Sequence, residues 1–229
     1  SRIRGDESGT QGAVARIIDH CDRTRVDMVH QLASQLNFVV VGGPGQGKTT
    51  VTNLIAQAYR TALLSDANGL SGAAQQVLHS TKLRLEGEGI ALPRSRRFPF
   101  RIDLASLAER FTQRGEVSLV RWSAEQVSDR GGTDMSSTAI EKMLAEWPWL
   151  VILDGLDEVA APAIRDSIVR SITDFLEDAA RHDWDVILLC TTRPQGYDGS
   201  LPSVFFRQLE LEDLTDATAL ALANRLIEL

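Results

Sequence analysis

The sequence predicts an α/β protein built on a parallel sheet with helices on both faces. Three observations predict it. Five short apolar runs, at 36–41, 98–104, 149–153, 186–190 and 205–209, read as buried strands. Helical patterns separate the runs, and continuous apolar strands between helices are the mark of a parallel sheet covered on both sides. The first run breaks abruptly into the glycine-rich stretch GGPGQGKTT, Gly42 to Thr50.

Two helices are clear from spacing. After the glycine stretch, Val51, Leu54, Ile55, Ala58 and Tyr59 recur on one helical face. After the third strand, Ile164, Ile168, Ile172, Phe175, Leu176 and Ala179 do the same. Pro162 stands near the start of that helix, where a missing N–H is harmless. The stretch 65–89 is less regular, helix-prone over 73–85, and is expected to be a surface insertion. The basic cluster Pro93-Arg94-Ser95-Arg96-Arg97 follows; an acidic partner is one reading, and a solvated loop is preferred. Residues 128–137 read as a polar loop.

Composition bounds the function. The chain has 229 residues, 43% of them hydrophobic and 24% charged, enough for one large domain or a domain with an appendage. Its net charge of −7 gives no basic footprint, so direct nucleic-acid binding is not expected. Cys21 and Cys190 lie far apart with no Cys-x-x-Cys and no leader peptide, which points to a reducing cytosol. No apolar run approaches the roughly 20 residues of a membrane span, so no membrane partner is expected. The first residue is Ser1 and the last, Leu229, falls inside a helical pattern, which reads as a piece of a longer protein. Residues 1–33 are assigned as a lead-in without a motif, 34–213 as the core, and 214–229 as the start of a further helical subdomain.

Gly42 to Thr49 fits the spacing G-x-x-x-x-G-K-[ST] of a phosphate-binding P-loop. Convergent backbone N–H groups must approach phosphate oxygens, and side chains would block them. Gly45 and Gly47 supply conformational freedom, and Gly43, Gln46, Lys48, Thr49 and Thr50 complete the candidate cradle. The start of the following helix adds its positive end. Lys48 would reach the β- and γ-phosphates, and the Thr49 hydroxyl would ligate Mg²⁺. A flexible glycine-rich turn is the bland alternative, but a strand before and a helix after are the required context.

Such a loop needs an acid at the end of a second strand. Trp149-Leu-Val-Ile-Leu-Asp154-Gly155-Leu-Asp157-Glu158 supplies it. Asp154 is the metal candidate, and Gly155 keeps space beside the phosphates. Either Asp157 or Glu158 could polarise an attacking water. Glu158 is preferred as base, with Asp157 supporting the metal or capping the next helix; both serving as caps remains open. The run 186–190 leads to Thr191, Thr192, Arg193 and Pro194. Beside the P-loop strand, Thr192 and Arg193 would face a γ-phosphate. Arg193 could then tell triphosphate from diphosphate, and a surface ion pair is its alternative. Cys190 reads as a buried strand residue. His20, His30, His79 and His182 receive no role, and Trp147 and Trp149 read as packing.

The ordered set GGPGQGKTT, RFPFRIDL, WLVILDGLDEVA, VILLCTTRPQGY and LEDLTDATALALANRL resembles NACHT-domain NTPases of the prokaryotic type. These belong to the STAND class of signal-transduction ATPases within the AAA+-like P-loop group. DGLDE is the most diagnostic piece. The resemblance covers about residues 34–229. It implies a three-layer P-loop fold with a five-stranded parallel sheet in the order 5-1-4-3-2. It implies Walker A roles for Lys48 and Thr49 and the Walker B metal role for Asp154. Asp157 or Glu158 becomes the hydrolytic acid, and Arg193 the first sensor. The implied cofactors are ATP or ADP with Mg²⁺, adenine being inferred from the family alone. The implied function is a slow ATPase switch, often in immune or anti-phage defence, with nucleotide-controlled self-association in a protein carrying fused effector and sensor domains. A non-hydrolysing module with structural ADP is the main alternative, and a small-molecule kinase a weaker one. The winged-helix module that the resemblance also implies is not expected within these residues.

Overall fold

The computed structural model describes residues 10–27, 36–197 and 199–211. The expected helical subdomain at 214–229 lies outside them. Five strands form one sheet: β1 (Asn37–Val41), β2 (Phe98–Asp103), β3 (Trp149–Asp154), β4 (Val186–Thr192) and β5 (Phe206–Glu210). Their order is β2-β3-β4-β1-β5, every pair is parallel, and this is the predicted order read from the other edge. The three inner strands are buried almost throughout, while β2 and β5 are partly open, as edge strands are.

Seven helices are described: α1 (Thr10–Asp27), α2 (Lys48–Leu64), α3 (Gly72–Gly87), α4 (Leu104–Arg114), α5 (Leu119–Gly131), α6 (Ser137–Glu146) and α7 (Pro162–Arg181). Ser71, Asp103, Ser118 and Ser136 cap the starts of α3 to α6 by accepting from backbone N–H groups. Pro162 opens α7 at its first position.

Side chains alternate along each strand and so build two cores. Val39, Val41, Val151, Leu153, Leu188 and Cys190 pack against α4 to α7. Phe38, Val40, Leu150, Ile152, Ile187 and Leu189 pack against α1 and α2, with Leu85 of α3. The molecule is therefore three-layered, as expected. Helix α1 falls within the stretch assigned as a lead-in, and its Val14, Ile17, Ile18 and Cys21 are buried in the second core. The insertion after α2 is mostly solvent-facing, with Leu85 the buried residue of α3.

The basic cluster does not behave as a solvated loop throughout. Arg94 and Arg96 are exposed, but Arg97 is completely buried and ion-paired with Asp185. Asp22 of α1 pins the preceding residues. It accepts from Arg94 N at 3.0 Å, Ser95 N at 2.7 Å and Ser95 Oγ at 2.8 Å. The chain is thus drawn inward just before β2, which carries Arg97 beneath the sheet edge.

Candidate nucleotide site

The loop leaving β1 has the conformation that its glycines permit. Gly45 and Gly47 stand at φ 77° and 80°, in the left-handed region that other residues avoid. Gly47 caps α2 and has no side chain with which to bond the first-turn N–H groups of the helix. A helix start of this kind suits an anion. Gly42 N donates to Thr192 O at 3.1 Å, which ties the loop to β4.

Around this start lies a cavity of about 350 Å³ at the carboxyl ends of β1, β3 and β4. Pro44, Gly45, Gly47, Lys48, Thr49 and Thr50 line one wall; Asp154, Gly155, Asp157, Glu158, Thr191 and Arg193 line the other. The predicted residues from three separated segments therefore meet in one place. Gly43 and Gln46 stand aside from the lining: Gln46 Oε1 accepts from Gly43 N within the loop itself. Lys48 Nζ donates to Gly42 O at 2.6 Å and Gly43 O at 3.0 Å, so its charge is folded onto the loop carbonyls. A larger cleft of about 610 Å³ between α5, α6 and α7 holds neither the glycines nor Asp154, and size alone does not make it the site.

Asp154 ends β3 with its side chain only 14% exposed. Its Oδ1 accepts from Thr191 Oγ1 at 2.6 Å, and its Oδ2 accepts from Arg101 Nη2. Gly155 N donates to Thr191 Oγ1 at 2.9 Å, so one hydroxyl holds both the carboxylate and the turn after it. Gly155 adopts φ 83°, and a Cβ there would lie 3.1 Å from Glu158 Cδ. That glycine lets the short 3-10 turn Leu156–Glu158 fold the Glu158 carboxylate back against Gly155. Asp157 is ion-paired with Arg193, Nε to Oδ2, at 2.9 Å. Glu158 is exposed on the cavity wall.

One expectation is corrected. Thr192 was expected to face the phosphates, but its hydroxyl is buried and without a hydrogen-bond partner. Its place in the strand alternation matches Leu188 and Cys190, on the α4–α7 side. Thr191 belongs to the α2 side and does the work. The parallel register that sets Trp149 beside Val186 and Leu153 beside Cys190 carries on to bring Thr191 beside Asp154. Arg101 was also missed, because one arginine in a strand-like run carries no periodic signal.

The donor set suits a hydrated magnesium ion. Mg²⁺ takes one or two carboxylates with substrate phosphates and keeps several waters. Asp154 and Thr49 line the same cavity as the phosphate cradle, which meets that demand. Among the described residues no cluster of three His, Cys, Asp or Glu side chains could hold a metal by itself. Cys190, beneath the site, is wholly buried. Burial pushes its thiol pKa far up, and the Asp154 and Asp157 charges add to this, so it offers no nucleophile.

No known family model matches the chain, and no curated protein matches it. Solved structures similar to it include the Aeropyrum pernix Orc1 protein in complex with DNA, at 16% identity and a TM-score of 0.46. That match covers 98% of this chain and 51% of the other. The C. elegans PCH-2 structure matches at 13% identity and a TM-score of 0.47, over 95% of this chain and 46% of that one. The chain thus spans about half the length of each. At these values neither likeness bears on activity, and function is read from the site.

Proposed function

We propose that the chain is the nucleotide-binding domain of a NACHT-type switch, taking ATP and ADP with Mg²⁺ and hydrolysing ATP slowly. The observation that carries this reading is the meeting of Lys48, Thr49, Asp154, Glu158 and Arg193 around one cavity, although they come from segments far apart in sequence. Residues 34–213 form the nucleotide core in this reading.

Each group has a task that its position supports. The amides from Gly45 to Thr50 receive phosphate oxygens, and Lys48 leaves its loop carbonyls to follow the β- and γ-phosphates. Thr49 and Asp154 would hold Mg²⁺, which supplies charge neutralisation at the phosphates. Glu158 has an exposed carboxylate on the cavity wall and takes the role of base for water. Asp157 is committed to Arg193 and holds it near the place of a γ-phosphate. A γ-phosphate would compete with Asp157 for that guanidinium, which makes the pair a triphosphate detector. Binding would then be read out as self-association of a longer protein with effector and sensor domains, acting in the cytosol in defence against infection. No described helix is long and apolar enough to cross a membrane.

The test is calorimetry of ADP and ATP binding with Mg²⁺, paired with phosphate release. Micromolar or tighter binding that Lys48→Ala abolishes supports the site. Absence of binding by both nucleotides sinks it. Tight ADP binding with no phosphate release at any protein concentration selects the non-hydrolysing module, and tighter binding of GDP than ADP overturns the choice of adenine.

A further inference from the structure

We propose that Arg101 is a positioning residue that sets how strongly Asp154 takes magnesium, acting as an internal cation on the metal carboxylate. This rests on the reading of the cavity as a Mg²⁺–nucleotide site.

Asp154 and Arg101 lie on neighbouring strands, with Arg101 in register with Ile152. Along β2, Phe100 and Ile102 face the α4–α7 core, so Arg101 faces α2, the side on which Asp154 and Thr191 meet. The guanidinium is held at both ends. Nη2 donates to Asp154 Oδ2, and Nη1 donates to Asn53 Oδ1 of α2 at 3.0 Å. Asp154 therefore has one oxygen on a hydroxyl and the other on a full positive charge. Its side chain is mostly buried, whereas Arg101 is 36% exposed and has room to turn outward.

Two cations do not neutralise one carboxylate independently. A metal ion brought to Asp154 meets a charge that is already compensated and must weaken or displace the Arg101 contact. The contact also fixes the Asp154 rotamer before any metal arrives. Arg101 thus keeps the carboxylate in place while lowering its affinity for magnesium, so that metal is retained mainly when nucleotide phosphates supply further ligands. Arg101 does not line the cavity itself, so its influence runs through Asp154.

The experiment uses the 229-residue chain, ADP and Mg²⁺. Calorimetry gives ADP affinity with Mg²⁺ and in EDTA, and the ratio measures metal coupling. In R101Q this ratio is expected to rise about tenfold, the size expected on removing a close competing charge near the surface. R101K, which keeps a cation but not the two-ended contact, should fall between. On an Asp154→Asn background R101Q should leave the ratio unchanged, which a purely structural role for Arg101 would not predict. An equal or lower ratio in R101Q overturns the proposal, and unfolding of R101Q leaves R101K to decide it by the same sign. If wild type binds no ADP in either buffer, the nucleotide reading itself fails and the proposal falls with it.

Discussion

Arg193 at the tip of β4 and Asp157 in the turn after β3 form an ion pair of 2.9 Å in which the acid is 9% exposed and the arginine 45%. The pair joins the ends of two neighbouring strands on one wall of the cavity. It is asymmetric: Arg193 can leave for another anion in solvent reach, but Asp157 has no comparable exit. Replacing Arg193 by Ala removes the group that would recognise a third phosphate. The expected outcome is about a tenfold loss of ATP affinity relative to ADP, the scale of one charge-assisted hydrogen bond. Competition binding of the two nucleotides reads this, and an unchanged preference refutes the detector role.

Glu158→Gln keeps the shape of the cavity wall and removes the base. Phosphate release should fall by about 10²–10⁴-fold while ATP still binds. If release persists and Asp157→Asn abolishes it instead, the two acids exchange roles.

Gly155→Ala tests the turn that separates those acids. At φ 83° an added Cβ meets the Glu158 carboxyl at 3.1 Å. A left-handed alanine costs about 1–2 kcal/mol, and Glu158 must move away. Urea denaturation should report that loss. Phosphate release should drop more steeply than ADP affinity, because the cradle lies on the opposite wall.

Arg97 is a stability residue. It is fully buried against Asp185, which is itself 23% exposed. Arg97→Ala should cost about 3–5 kcal/mol, the usual result of leaving a charge and a void behind. Arg97→Met fills most of the space and leaves Asp185 near water, so its loss should be clearly smaller. Equal urea midpoints for the two variants would show that packing is irrelevant there.

Alkaline pH should destabilise the fold through α1 and α2. Burial pushes the Cys21 thiol up from 9.0 to about 11, and burial also raises Tyr59 strongly. The unfolded chain therefore loses these protons first. Stability is full below the unfolded values and declines as pH climbs from about 9 towards 11. Cys21→Ala should flatten the early part of that decline in urea melts, and an unchanged slope would contradict the assignment.

Much of this was legible beforehand because the signals are local. A glycine stretch between strand and helix, or an acid closing an apolar run, needs few residues to be recognised. The sheet order came from family resemblance rather than from spacing. What stayed hidden depends on which face of a doubly buried strand looks at α2. Thr191 and Thr192 are chemically alike, and both faces of β4 are apolar, so alternation alone does not choose between them. Arg97 looked solvated because three arginines in a row of five suggest a wet loop; only Asp22 and Asp185, distant in sequence, draw it inward. Helix α1 had no motif, yet its apolar stripe completes the core beneath β1.

That last contact fixes where the protein can be cut. A version starting at β1 would uncover Phe38, Ile55 and Tyr59 and release the backbone of Arg94 and Ser95 from Asp22. A fragment that keeps α1 is therefore expected to melt at a higher urea concentration than one that begins at β1.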